Sequence, residues 1–375
     1  RPQSGGDLRA ALAAERAAPA PTDPEQAAKD AERAAAAAAK RALATQRAIR
    51  GALGELELWL TDQLRAGLAA TMGELTERCR AIAARLVDGK ATSLAGRVDE
   101  IPARILALPT EERAEALVRE FGKLALLIRA WRASPDTPEL RRAVGSAESR
   151  DALLSDGAAP LVRARWEVLG EQINTRRDGL VAQSTWLLNL SESADQPENA
   201  PPLFAQLLDF YPAHLGRRGG AFAPGDRFEA TLAFYPAAQP LRAVIAERSA
   251  ADSGVDESEG EGEGEGLGEG DGRQWPAAPM GDPLAGYAAL QLAAPWTLSG
   301  PILLPAGGFA RAADHSAWWL AEGEAGHALP LEAAPRPALF GLRYSAMAAI
   351  WTGARLQPLA AISDWGRVSL QDGAS

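Results

Sequence analysis

From Glu25 onward the first patterned stretch is EQAAKDAERAAAAAAKRALATQRAIR, whose alanines favour helix while supplying almost no large side chain to bury. A solvated helix is expected there. The pattern changes in GALGELELWLTDQLRAGL, where Leu56, Leu60, Leu64 and Leu68 recur at every fourth position with Trp59 beside them, which marks one face of a buried helix. In TEERAEALVREFGKLALLIRAWRA, Thr110 stands at the N-cap, Leu117, Phe121, Leu124, Ile128 and Trp131 share a face, and Pro135 ends the run. Thr137-Pro138 opens a short helix that Gly145 closes, since proline at the first helical position gives up only an N–H that is unpaired anyway.

At Leu161 the period shifts towards two. RWEVLGEQI and LVAQSTWLLNL flank NTRRDG, where Asp178-Gly179 suits a hairpin turn, and LFAQLLDFY, DRFEATLAFYP and PLRAVIAE follow. Phe228, Ala230, Leu232 and Phe234 alternate on one face, so these runs predict an antiparallel sheet. Farther on, DPLAGYAALQLAAPW predicts one helix. GPILLP, SAWWLAE, HALPLE, ALFGLRY and AMAAIWTGARLQPLAAI predict short strands, with Thr352-Gly353 as a second hairpin turn. The expected class is α+β, an N-terminal helical module followed by antiparallel β-rich modules with one helix between them. The expected divisions are a flexible lead over 1–24, a helical domain over 25–155, an antiparallel β domain over 156–250, a disordered acidic Gly/Glu linker over 251–274, and a helix plus small β domain over 275–375.

Charge changes this picture in one place. The formal net charge of −10 contains nine carboxylates from Asp252 to Asp271 with no base among them, so the rest of the chain carries −10 + 9 = −1. The acidity belongs to one segment and does not argue against an anionic partner. The single Cys79 excludes an internal disulfide and favours a reducing compartment, no run reaches the roughly 18 apolar residues of a membrane span, and a cytoplasmic location without membrane contact is expected. Because the chain starts at Arg1 without methionine, residues upstream are expected.

Candidate chemistry is sparse. A calcium loop starting at Asp256 needs glycine at its sixth and a bidentate glutamate at its twelfth position, where Glu261 and Leu267 stand, so the acidic run predicts a tether. In GKATS, Ala84 and Ala91 occupy places where a phosphate loop needs glycine and Ser or Thr. No zinc spacing joins His214, His315, His327 and Cys79, and the contiguity of Asp314, His315 and Ser316 is no support for a triad. Glu111 with Glu112, and Glu322 with Glu324, read as a helix start and a turn. The remaining lead is basic. Arg33, Lys40, Arg41, Arg47 and Arg50 form an acid-free run, and Arg176, Arg177, Arg217 and Arg218 sit at loop tips, where phosphates could be met without sequence preference. No aromatic residue interleaves the helical bases, so base stacking has no support. Trp59, Trp131, Trp166, Trp186, Trp318 and Trp351 lie on apolar faces or strands, where packing is their default role.

The order of blocks GELELWLTDQLRAGLAA, AARLVDGKATSLAGRV, LLIRAWRA, RARWEVLGEQ, STWLLN, LLDFY and RFEATLAFYPAAQPLRAVIAER, continuing to AAPW, AWWLAE, ALPL and LQPLAAISDWGR, resembles the region that follows the zinc motif in bacterial SWIM zinc-finger proteins. The resemblance covers roughly residues 45 to 370. It implies an upstream C-x-C-x(n)-C-x-H motif that binds zinc. That motif is absent here, so no zinc ligand is assigned and no cofactor is expected in the chain unless the motif precedes residue 1. It also implies protein partners, among them a MoxR-type AAA ATPase or a von Willebrand A-domain protein, and no catalytic residues. The expected function is a noncatalytic protein-interaction scaffold. The alternatives are a nucleic-acid-binding protein using the 33–50 helix with Arg176 and Arg177, and, more remotely, a hydrolase.

Overall fold

The computed structural model describes residues 24–146, 149–176, 179–191, 201–215, 222–248, 275–278, 282–322 and 326–371. Arg177, Asp178, Arg217, Arg218 and Glu324, the acidic run, and the lead apart from Pro24 lie outside the described residues. Pro24 opens the first helix.

The helical region is built from α1 (Pro24–Ala66), α2 (Leu68–Gly73), α3 (Leu75–Asp88), α4 (Thr92–Asp99), α5 (Ile101–Leu106), α6 (Thr110–Ala133), α7 (Pro138–Val144) and α8 (Arg150–Ser155). Side chains recurring at helical spacing, among them Leu75, Cys79, Ile82 and Leu86 of α3 and Leu117, Phe121, Leu124, Ile128 and Trp131 of α6, close one core with the second half of α1. Trp59 meets the Phe121 ring edge-on at 5.5 Å.

Along α1 the expected stripe is half right. Leu56 and Leu60 are buried, but Leu64 is 54 % exposed and Leu68 belongs to α2, beyond a break at Gly67. A spacing of four overshoots the helical turn by about 40° per step, so Leu64 stands about 80° away from Leu56. The buried face runs instead through Ile49, Leu53, Leu56, Leu60 and Gln63. Thr110 is the first helical residue rather than the cap, a place taken by Pro109. Thr137 and Gly145 bracket α7 as expected.

The next unit comprises β1 (Leu161–Thr175), β2 (Leu180–Asn189), β3 (Phe204–Pro212), β4 (Arg227–Phe234) and β5 (Arg242–Arg248). Gly179, with φ +81°, turns β1 into β2. The expected antiparallel sheet closes into a barrel in the order β1-β2-β3-β5-β4, and one neighbouring pair, β3 and β5, runs parallel. Parity is the reason: five strands cannot alternate direction around a ring, so one neighbouring pair must run parallel. Closure also removes free sheet edges. Trp166, Val168, Leu187, Leu207, Phe228, Ala230, Leu232 and Phe234 fill the interior. The connectivity is that of OB-type barrels.

The last unit has α9 (Ala285–Ala293) and β6 (Gly300–Leu304), β7 (Gly307–Arg311), β8 (Ala317–Ala321), β9 (Ala328–Pro330), β10 (Tyr344–Trp351), β11 (Leu356–Ser363) and β12 (Gly366–Ser369) in one seven-stranded sheet. The α9 helix is shorter than the predicted run. Of ALFGLRY, Ala338 and Leu339 lie in a 3-10 turn over Pro337–Leu339, and Gly341 at φ +86° turns the chain out of extended backbone, so only Tyr344 enters a strand. GGFAR and GRVS form the unpredicted β7 and β12, too glycine-rich or too short to show a period. One sheet face makes its own core around Trp319, Phe309 and Tyr344. The other packs Leu303, Ala348, Ile350 and Ile362 against the barrel's Leu169, Trp186, Leu188 and Phe204.

Candidate interaction surfaces and junctions

Much of the buried charge lies where the units meet. Glu167 on β1 is fully buried and accepts from Arg227 of β4 (Nε 2.9 Å, Nη2 2.8 Å) and from Arg367 of β12 (Nε 2.8 Å). Arg367 also donates to the carbonyls of Val168 and Leu169, each at 2.9 Å. One carboxylate thereby ties two barrel strands to the second sheet. A buried carboxylate persists only with such complete pairing.

A second network joins the helices to both β units. Arg97 of α4 donates to the Trp296 carbonyl at 2.8 Å, and Lys123 of α6 to the Thr297 carbonyl at 2.6 Å. Glu120 lies 3.7 Å from Arg97 and 3.3 Å from Arg104. Burial pulls the Arg97 guanidinium down to about 10, against the opposing pull of Glu120, and burial likewise lowers Lys123. Arg176, at the β1–β2 tip, lies 3.2 Å from Glu100 across α4. Gly96 makes room for it, since a Cβ there would stand 2.5 Å from its Nη2. Arg355 reaches Glu112 at 2.6 Å, and Arg150 donates to the Ile245 carbonyl at 3.0 Å.

Between the barrel and the last unit lies an open cavity of about 230 Å³ with a mostly apolar lining, including Leu203, Phe204, Leu241, Leu290 and Ile302, with Gln239 and Asp282 as its polar members. Such a lining suits apolar side chains of a partner. The β2–β3 face that OB-type barrels commonly use for oligonucleotides or oligosaccharides is partly covered here, because Trp186, Leu188 and Phe204 are packed under the second sheet.

The basic residues do not converge. Arg33, Lys40, Arg41, Arg47 and Arg50 are all exposed on α1, with Arg33 3.7 Å from Asp30 and Arg41 donating to its own helix at Ala37. Arg176 belongs to the junction just described. His214 lies in a 3-10 turn, His315 has φ +66° in the β7–β8 turn, and His327 leads into β9, so the three occupy separate turns. Among the described residues no group of three or more His, Cys, Asp or Glu could hold a metal ion. Asp314 accepts from Ser316 Oγ at 2.6 Å and from its N–H at 3.0 Å, which lowers its carboxyl pKa and reads as a turn lock. Lys90, with φ +63° after Gly89, sits in the turn between α3 and α4.

Residues 44–147 match the SWIM-associated four-helix bundle domain. This agrees with the resemblance to the region C-terminal to the zinc motif in SWIM proteins, and it covers the part of α1 that enters the core together with everything to the end of α7. No curated protein and no solved structure matches the chain. The matched residues include Glu112, Glu120, Arg97 and Lys123, so the contacts of the helical bundle to the β units fall within the stretch that matches. No described helix is long and apolar enough to cross a membrane.

Sequence reasoning missed Glu167, Arg227, Arg367, Arg97, Glu120 and Lys123. One signal was present: Glu167 interrupts the apolar run Trp166–Val168–Leu169 in the middle of a strand. Arg367 stands 200 positions away, and nothing local announces it.

Proposed function

We propose that the chain is a noncatalytic protein-interaction scaffold. The SWIM-associated bundle, the barrel and the seven-stranded sheet act as one body that offers the apolar cavity beside Leu203 and Leu290 to a protein partner. The observation that carries this reading is the fully buried Glu167, whose two arginine partners come from different units and fix their relative placement. Rigid placement lets a surface assembled from two units bind without an ordering penalty. A MoxR-type AAA ATPase and a von Willebrand A-domain protein are the partners that the family resemblance points to, and cytoplasmic assembly work is the matching role.

Calorimetric titration of the full chain with each purified candidate partner tests the proposal. Binding is expected, with at least a tenfold loss on Leu203→Asp combined with Leu290→Asp and no change in the near-ultraviolet dichroism of the variant. Absence of binding to both partners would overturn it. So would turnover of a nucleotide, ester or peptide that a point substitution in the cavity abolishes.

A further inference from the structure

We propose that the free-standing half of α1 is a docking surface for a polyanionic polypeptide, and that its ligand is this chain's own acidic run from Asp252 to Asp271. The inference does not depend on the cavity or on its partner.

The surface comes first. Every side chain described between residues 32 and 45 is exposed, and the first buried one is Ile49. At 1.5 Å per residue, about 30 Å of helix therefore stands clear of the bundle. Its apolar content is mostly alanine, so burial of apolar area does not explain its presence. Its charge is patterned instead. Arg33, Lys40 and Arg47 follow at intervals of seven, which keeps them within about 20° of one line per step and about 10.5 Å apart. Arg41 and Arg50 flank that line, and no acid occurs from Arg33 to Gly54. Lys40, Arg47 and Arg50 have no ion-pair partner among the described residues.

The complement lies in the same sequence. Nine carboxylates without a base stand between Asp252 and Asp271, while the rest of the chain sums to −1. Reach is sufficient. Ile49 of α1 packs beside Gly145, Arg150 follows five residues later, and it donates to the Ile245 carbonyl, three residues before Arg248 where β5 ends. Summing extended lengths along that path places Arg248 within about 40 Å of the point where α1 leaves the bundle. The fifteen residues from Arg248 to Glu263 span up to about 50 Å. Alanines between the bases leave a smooth face that an extended Glu-Gly backbone can approach closely. No aromatic residue lies on that face to stack a base, which favours a carboxylate ligand over a nucleic acid.

Two measurements on the full chain test this. Spin labels at Ala36→Cys and Gly262→Cys are expected to give a short distance population, under about 35 Å, in 20 mM salt. That population should disperse in 0.5 M salt and in the Lys40→Glu, Arg47→Glu background, because paired surface charges are screened. With heparin as probe, neutralising all nine carboxylates to their amides should tighten binding at least tenfold, and the gain should vanish with Arg33→Glu, Lys40→Glu and Arg47→Glu together. A label distance indifferent to salt and charge reversal, or no tightening towards heparin, overturns the proposal. Binding of a short DNA duplex that is as tight with the acidic run intact as with it neutralised also overturns it and assigns the stripe to nucleic acid.

Discussion

Replacing Glu167 with alanine is expected to loosen the barrel from the second sheet and destabilise the chain by about 3 kcal/mol. The carboxylate has no exposed surface, and its partners Arg227 and Arg367 are themselves only 19 % and 17 % exposed. Without it, two guanidinium groups face each other with little access to water. Breaking a buried pair from one side costs about 3–5 kcal/mol. The lower end applies here, because Arg367 keeps its two bonds to the Val168 and Leu169 carbonyls. For a unit that unfolds with an m value of about 2 kcal/mol/M, the urea midpoint should fall by about 1.5 M. Arg367→Met should be about as damaging, since it leaves the buried Glu167 with Arg227 alone and takes the side-chain donor from the Leu169 carbonyl, an unmet acceptor costing about 1–3 kcal/mol, while the Val168 carbonyl keeps the Gly225 N–H at 2.8 Å. The double variant Glu167→Ala with Arg367→Ala should lose less than the sum of the two single variants, as coupled neighbours do. Tryptophan fluorescence serves as the assay, because Trp166 and Trp186 report the barrel and Trp319 and Trp351 the sheet. An unchanged midpoint for Glu167→Ala, or additive losses in the cycle, would refute the claim that this carboxylate holds the units together.

Three further outcomes are expected. Leu60→Ala should cost about 2–4 kcal/mol in urea unfolding and Leu64→Ala no more than about 0.5, since the first side chain is 5 % exposed and the second 54 %. Gly307→Ala would place a Cβ 2.3 Å from the Leu320 carbonyl oxygen and 2.7 Å from the Trp319 ring, neither of which can yield. A loss of about 2–3 kcal/mol in thermal unfolding with an altered tryptophan near-ultraviolet dichroism should follow. The Cys79 thiol is pushed up to about 12 by burial, with Asp99 adding to the shift and Arg104 opposing it. A disulfide reagent at pH 8 should label the native chain only as fast as it opens. Because the folded value lies above the unfolded one near 9, the thiol's contribution is complete below that pH and is lost as pH rises towards 12; urea midpoints of the wild type should therefore fall relative to Cys79→Ala in that window.

Residues that signal to near neighbours were legible one by one. Thr137-Pro138 with Gly145 bracket α7, Gly179 and Gly353 turn their hairpins with φ +81° and +87°, and Phe228, Ala230, Leu232 and Phe234 face inward as their alternation requires. The α+β order followed from the change of period near Leu161, because periods of 3.6 and two are properties of the local backbone. Closure of the five strands was not legible. Its decisive contact pairs Gln206 with Arg242 and Leu207 with Ala243, and neither run carries a mark that says which partner lies beside it. Leu64 looked buried and is not, since four-residue spacing approximates a helical face for only a turn or two. Arg176 looked like a free loop-tip cation, yet a glycine 80 positions earlier in α4 opens the place beside Glu100 where it docks. By itself the sequence determined where helix gives way to strand, most of the longer helices and strands and two hairpin turns, and that its acidity is confined to one stretch. Only the tertiary structure decided which charges became junctions and which stayed in water, because desolvation and pairing depend on what distant segments bring within about 4 Å.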